Sequence, residues 1–137
     1  MTDQLATLRQ LPLFEGLGDD VIRRVLDVAV EVDFPAGQAL AQANDPGTGM
    51  FVIVDGSVIV EARGETVVEL GPGEFVGELA LFVPESTRVA RVRAKTDVRC
   101  LAISRLDFQQ LLDDEPRIAV AMLPVLARRL WRVRRGG

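Results

Sequence analysis

The sequence predicts an α+β fold: an antiparallel β-roll (a jelly-roll-like barrel) flanked by N-terminal helices and two C-terminal helices. Three observations predict it. Between residues 38 and 104, short runs rich in β-branched residues alternate with turn signals. On both sides of that stretch, apolar residues recur at helical spacing instead. The 137 residues suit one domain, 1–137, around one main core. Helices, then many short strands, then helices is an α+β order.

In chain order, Thr2 to Arg9 reads as a short helix. Gly18-Asp19-Asp20 opens a second, with Asp19 or Asp20 as its cap and Ile22, Val25, Leu26 and Ala29 on one face. The N-terminal helices are expected over about 1–31 and the roll over 32–104. Pro35-Ala36-Gly37 is a turn. The strands expected are Gln38–Ala41, Met50–Val54, Ser57–Glu61, Glu65–Leu70, Arg88–Ala94 and Val98–Ile103. Turns at 44–47, Asp55-Gly56, Arg63-Gly64 and 71–73 separate them. Asp55-Gly56, between two apolar runs, predicts a hairpin. The C-terminal helices span 105–135: Leu106 to Asp113, then a helix after Glu115 with Pro116 at a tolerated first-turn position. Ile118, Met122, Leu126, Leu130 and Val133 form its expected apolar face. Pro124 within it is either a tolerated kink or a hinge.

Composition removes whole classes of chemistry. There is no histidine, so Ser-His-Asp and Cys-His catalysis are excluded and the commonest metal ligand is missing. The single cysteine, Cys100, rules out an internal disulfide and sits in an apolar strand, where inert packing is expected. No metal site and no enzymatic activity are expected. Residues 1–116 carry 10 basic and 20 acidic groups, and residues 117–137 carry six arginines and no acid. A body so acidic is ill-suited to phosphate contacts, so no direct DNA binding is expected. The arginine cluster reads as a solvated helix end that suits the helix dipole. The longest apolar stretch, Ile118 to Ala127, is about half a membrane span, and the N-terminus shows no signal peptide. A cytoplasmic location without a membrane span is expected.

One segment carries chemistry. In a strand over 88–94, Arg88, Ala90, Val92 and Ala94 share one face, and Val89, Arg91 and Arg93 share the other. The two-arginine face belongs in solvent, which places Arg88 at the end of an inward apolar row. A lone guanidinium there costs several kcal/mol unless an anion meets it. Gly77-Glu78-Leu79-Ala80-Leu81 can form a helical turn whose backbone N–H groups cradle an anion. Arg88 and that turn together would grip one phosphate. Glu78 would repel the phosphate but suits a sugar hydroxyl, and the combination suggests a nucleotide. The bland alternative is a structural Arg88–Glu78 ion pair, with the glycines merely turning the chain.

Gly77-Glu78-Leu79-Ala80-Leu81, followed by Arg88 through Thr96, resembles the phosphate-binding cassette of cyclic nucleotide-binding domains. That family includes bacterial catabolite activators, protein kinase A regulatory subunits and cyclic-nucleotide-gated channels. The resemblance covers about residues 11–135, with the cassette at 73–94. It includes Pro12-Leu13-Phe14, Phe34-Pro35-Ala36-Gly37, Asp45-Pro46-Gly47, Gly56 and Ala127-Arg128-Arg129-Leu130. The resemblance implies that Arg88 binds the exocyclic phosphate oxygens. It implies that Gly77, Leu79 and Ala80 offer backbone near phosphate and ribose, and that Glu78 accepts from the ribose 2′-hydroxyl. The last helix would fold over the base as a lid. The chain departs from the family pattern at Val89, where a hydroxyl is associated with guanine or a second phosphate contact. The lid positions that carry hydroxyls in the activators fall at Val133 and Arg134. Both departures bear on base choice, and cyclic AMP is preferred here over cyclic GMP.

The expected function is therefore a regulatory sensor that binds a cyclic nucleotide as ligand, with no other cofactor. Two alternatives are a nucleotide-free interaction domain of the same fold and the sensor fragment of a larger transcription regulator. Trp131, off the apolar face among Arg128, Arg132 and Arg135, marks either a surface for a protein partner or self-association, or an accident of helix phase.

Overall fold

A computed structural model describes residues 4–41, 49–62, 65–77 and 91–136. Helices α1 (Gln4–Arg9) and α2 (Asp19–Val28), joined through a 3₁₀ turn at Pro12–Phe14, precede the strands. The strands are β1 (Val30–Phe34), β2 (Ala39–Ala41), β3 (Gly49–Asp55), β4 (Val58–Ala62), β5 (Glu65–Leu70), β6 (Phe75–Val76), β7 (Arg91–Ala94) and β8 (Val98–Ser104). Helices α3 (Arg105–Asp114) and α4 (Arg117–Gly136) follow. The strands form two antiparallel sheets, ordered β1-β8-β3-β6 and β2-β7-β4-β5. The protein is thus the expected α+β β-roll with helices at both ends.

Strand parity builds three layers. On β3, Met50 and Val52 face the helices, while Phe51 and Ile53 face the second sheet. On β8, Leu101 and Ile103 face the helices, and Val98 and Cys100 face the roll interior. The first sheet is therefore buried on both sides, which explains why β8 reads as a nearly continuous apolar run. Its helix side packs on Phe14, Ile22, Val25, Phe108 and Met122. Its roll side meets Val58, Leu70, Val92 and Ala94. Phe34 and Phe51 add an edge-to-face contact at 5.8 Å.

Several expectations need correcting. Asp55-Gly56 is not a hairpin. Strand β3 pairs with β6 and β8, and β4 pairs with β5 and β7, so this turn carries the chain from one sheet to the other. Its geometry is held by the next turn instead: Ser57 N donates to Thr96 Oγ1 at 3.0 Å. The tight hairpin joins β4 to β5, where Ala62 pairs with Glu65. Strands β1 and β6 were not expected. Glu31 and Asp33 weaken the β signal of β1, yet both carboxylates pair with Arg99 across the strand, at 2.9 and 3.2 Å. Strand β6 is only two residues long, too short for any periodicity. The cap of α2 is Gly18, and Asp19, inside the first turn, pairs with Arg9 at 3.0 Å. On that helix Val21 joins Ile22 and Val25 in the core, Leu26 is half-buried and Ala29 lies just past the last turn.

On α4, Ile118 and Met122 are buried as expected, but Leu130 is 60% exposed. Steps of four residues drift around a helix of about 100° per residue, so Leu130 sits roughly 120° from Ile118. Arg129 sits only about 20° from it, on the buried face. The side chain of Val133 lies outside the described residues.

Candidate functional site

The described residues supply the two ends of the cassette. Strand β6 leads into it. Phe75 and Val76 are buried and pair with Val52 and Phe51 of β3. The loop before β6 is clamped: Gly73 N donates to Ile53 O, Ile53 N donates to Glu74 O, both at 2.8 Å, and Gly71 N donates to Glu74 Oε2. A Cβ on Gly73 would lie 2.1 Å from Pro12 Cδ, so the 3₁₀ turn presses directly on this loop. Gly77 follows with φ +89°, a conformation that side-chain-bearing residues rarely adopt. The helical turn expected over 77–81 lies, beyond Gly77, outside the described residues.

At the far end, β7 returns in the second sheet. Val92 and Ala94 are buried, whereas Arg91 is exposed and Arg93 pairs with Glu61 at 3.2 Å. Over positions 91–94 this is the alternation read from the sequence. The segment between Gly77 and Arg91 thus connects the two sheets. Glu78, Leu79, Ala80, Arg88 and Val89 lie outside the described residues. Val133 and Arg134 lie on α4, and their side chains are outside them too.

The residue that sequence reasoning missed is Arg129. Its guanidinium carbon lies 4.4 Å from the centroid of the Phe75 ring, and its Nη2 donates to the Phe75 carbonyl oxygen. The available signal was a cation in helical phase with Ile118 and Met122. On the opposite side of α4, Val120, Leu123, Leu130 and Trp131 are all exposed, and Arg128 is exposed beside them. The position of Trp131 off the core face agrees with the expectation.

Cys100 is buried and free, and burial pushes its thiol pKa up to about 12, with a smaller contribution from Asp33. A thiol held protonated is a packing group and a poor nucleophile. Among the described residues, no cluster of histidine, cysteine or carboxylate side chains could hold a metal ion, and no helix is long and apolar enough to cross a membrane.

Two four-stranded antiparallel sheets with helices at both ends define an α+β β-roll. A family model described as the cyclic nucleotide-binding domain matches residues 31–115, and the chain belongs to that family. It is 40% identical over 109 residues to a cyclic nucleotide-gated potassium channel of Mesorhizobium japonicum, covering 80% of this chain and 30% of the channel. It is 29% identical over 130 residues to a CRP-like cAMP-activated global transcriptional regulator of Mycobacterium tuberculosis, covering 91% of this chain and 58% of the regulator. The Thermus thermophilus catabolite activator protein superposes with a TM-score of 0.77 at 31% identity, covering 89% of this chain and 59% of that one. The chain therefore spans well under two thirds of the length of these relatives.

Proposed function

We propose that this chain is a non-enzymatic, cytoplasmic sensor domain, a single unit across 1–137, that binds 3′,5′-cyclic AMP in the cassette and closes α4 over the base. The observation that carries the reading is Gly77 at positive φ, directly after the buried strand β6, in a family match that spans both Glu78 and Arg88. In the proposed site, Arg88 forks onto the phosphate, and backbone from Gly77, Leu79 and Ala80 lines phosphate and ribose. Glu78 accepts from the 2′-hydroxyl. Val89 offers the base no hydroxyl, which favours adenine over guanine, and Val133 and Arg134 cover the base. Binding shifts the population toward the closed helix. A relative named as cAMP-activated supports cyclic AMP as the ligand.

Calorimetric titration of the chain with cyclic AMP and cyclic GMP tests this reading. Binding of cyclic AMP, tighter than cyclic GMP, is the expected result. At about 100 times its dissociation constant, the ligand should also add roughly 2.7 kcal/mol of stability. Absence of binding by both nucleotides overturns the sensor reading in favour of an interaction domain. The exposed Val120, Leu123, Leu130 and Trp131 on one side of α4 favour a second property, self-association through that helix. Sedimentation velocity of the parent and of Leu123→Glu tests it. A parent sedimenting as a monomer at all concentrations rules it out.

A further inference from the structure

We propose that Arg129 is a positioning residue of the nucleotide site: it tethers α4 to strand β6 and thereby sets where the Gly77 turn begins. This rests on the nucleotide reading above for its link to ligand, but the tether is visible without ligand. The argument starts from helix phase. Arg129 is half-buried on the face that buries Ile118 and Met122. A cation on that face is costly unless its planar fork is used. Here both of its properties are used on one residue: the guanidinium stacks on the Phe75 ring at 4.4 Å, and Nη2 donates to the Phe75 carbonyl oxygen.

Phe75 is the right residue to hold. It is fully buried, it pairs with Val52, and it lies two positions before Gly77. The other side of the same loop is gripped by Pro12 against Gly73. Helix α4 also packs on the Pro12–Phe14 turn. Strand β6 is thus held between the N-terminal turn and the C-terminal helix, so α4 cannot shift without pulling on the residue that feeds the cassette. Coupling of this kind is reciprocal: a ligand that fixes the Gly77 turn also fixes α4.

The test compares the parent chain with Arg129→Met, Arg129→Lys and Arg128→Ala. Methionine keeps the packed stem and helix propensity but removes charge and donors, so a merely space-filling role predicts parent behaviour. Amide hydrogen exchange without ligand should speed up in Arg129→Met over residues 75–77 and 125–131. The emission of Trp131, the sole tryptophan, reports the same loosening. Cyclic AMP affinity should fall by about 5-fold to 150-fold, the usual span of coupling between sites. Arg129→Lys, which retains the cation without the fork, should fall between, and Arg128→Ala should match the parent within about twofold. Exchange in Arg129→Met that matches the parent overturns the tether, as does an affinity loss no greater than that of Arg128→Ala. If the parent binds neither cyclic AMP nor cyclic GMP, the nucleotide reading fails separately, and the exchange comparison decides the tether alone. Should Arg129→Met not fold, Arg129→Lys is judged by the same two readouts.

Discussion

Substituting Gly77 by alanine should destabilise the protein and substituting Gly71 should not, although only five residues lie between them. Gly77 has φ +89°, where a Cβ meets its own backbone. Holding a non-glycine residue in such a region costs about 1–3 kcal/mol. Unfolding entropy near 2.1 cal/mol/K per residue over 137 residues means that each kcal/mol moves the melting temperature by about 3.5 °C. Gly77→Ala should therefore melt about 3–10 °C below the parent. Gly71 has an ordinary φ, and a Cβ there would meet nothing within 4 Å. Gly71→Ala should be neutral or add up to about 1 kcal/mol by restricting the unfolded chain. Its amide would still donate to Glu74 Oε2. Differential scanning calorimetry of the three proteins, with and without cyclic AMP, measures both effects. Gly77→Ala should also weaken binding, because the turn can relieve its strain only by moving the cassette. A Gly77→Ala protein as stable as the parent, or a Gly71→Ala protein equally destabilised, would refute the reasoning.

Three further outcomes are expected. Arg88→Ala should lower cyclic AMP affinity by roughly 30-fold to a few thousand-fold in titration calorimetry, while Arg91→Ala and Arg93→Ala on the solvent side of β7 bind like the parent. If alanine at 88 also destabilises the empty protein, Arg88 is half of an internal ion pair instead. Met122→Ala should cost about 2–5 kcal/mol in urea denaturation, because the side chain is buried among helices and sheet. Leu123→Ala, one residue on and 60% exposed, should cost less than about 0.5 kcal/mol. The Cys100 thiol, raised to about 12 in the fold, should resist a thiol reagent at pH 8 unless the protein unfolds. Because the unfolded thiol ionises near pH 9 and the folded one does not, its stabilising contribution is complete below about pH 9. It declines by at most about 1.4 kcal/mol per pH unit as pH rises toward 12.

Most secondary structure here is written in short-range chemistry. The β-branched runs at Met50–Val54 and Val98–Ile103 and the turns at Gly37 and Gly73 each depend on a few neighbouring residues, so the α+β order could be read directly. The same holds for the alternation along β7, which separates Val92 and Ala94 from Arg91 and Arg93. At position 77 the sequence offers a glycine, and the fold gives it φ +89°, a conformation open mainly to glycine. Strand pairing carries no such signature. Asp55-Gly56 has the chemistry of a hairpin, but whether β3 and β4 pair depends on β6 and β8 competing for the same edges, tens of residues away. Strand β6 exists only because β3 offers it a partner. On α4 the apolar residues alone could not decide between Leu130 and Arg129 for the inward position. Helix phase favours Arg129, but only the neighbouring Phe75, 54 residues earlier, offers the ring and carbonyl that make a buried-face cation tolerable. Local propensity is a property of adjacent residues, whereas register, sheet membership and the partner of a charge are set by groups that meet only after the chain has folded.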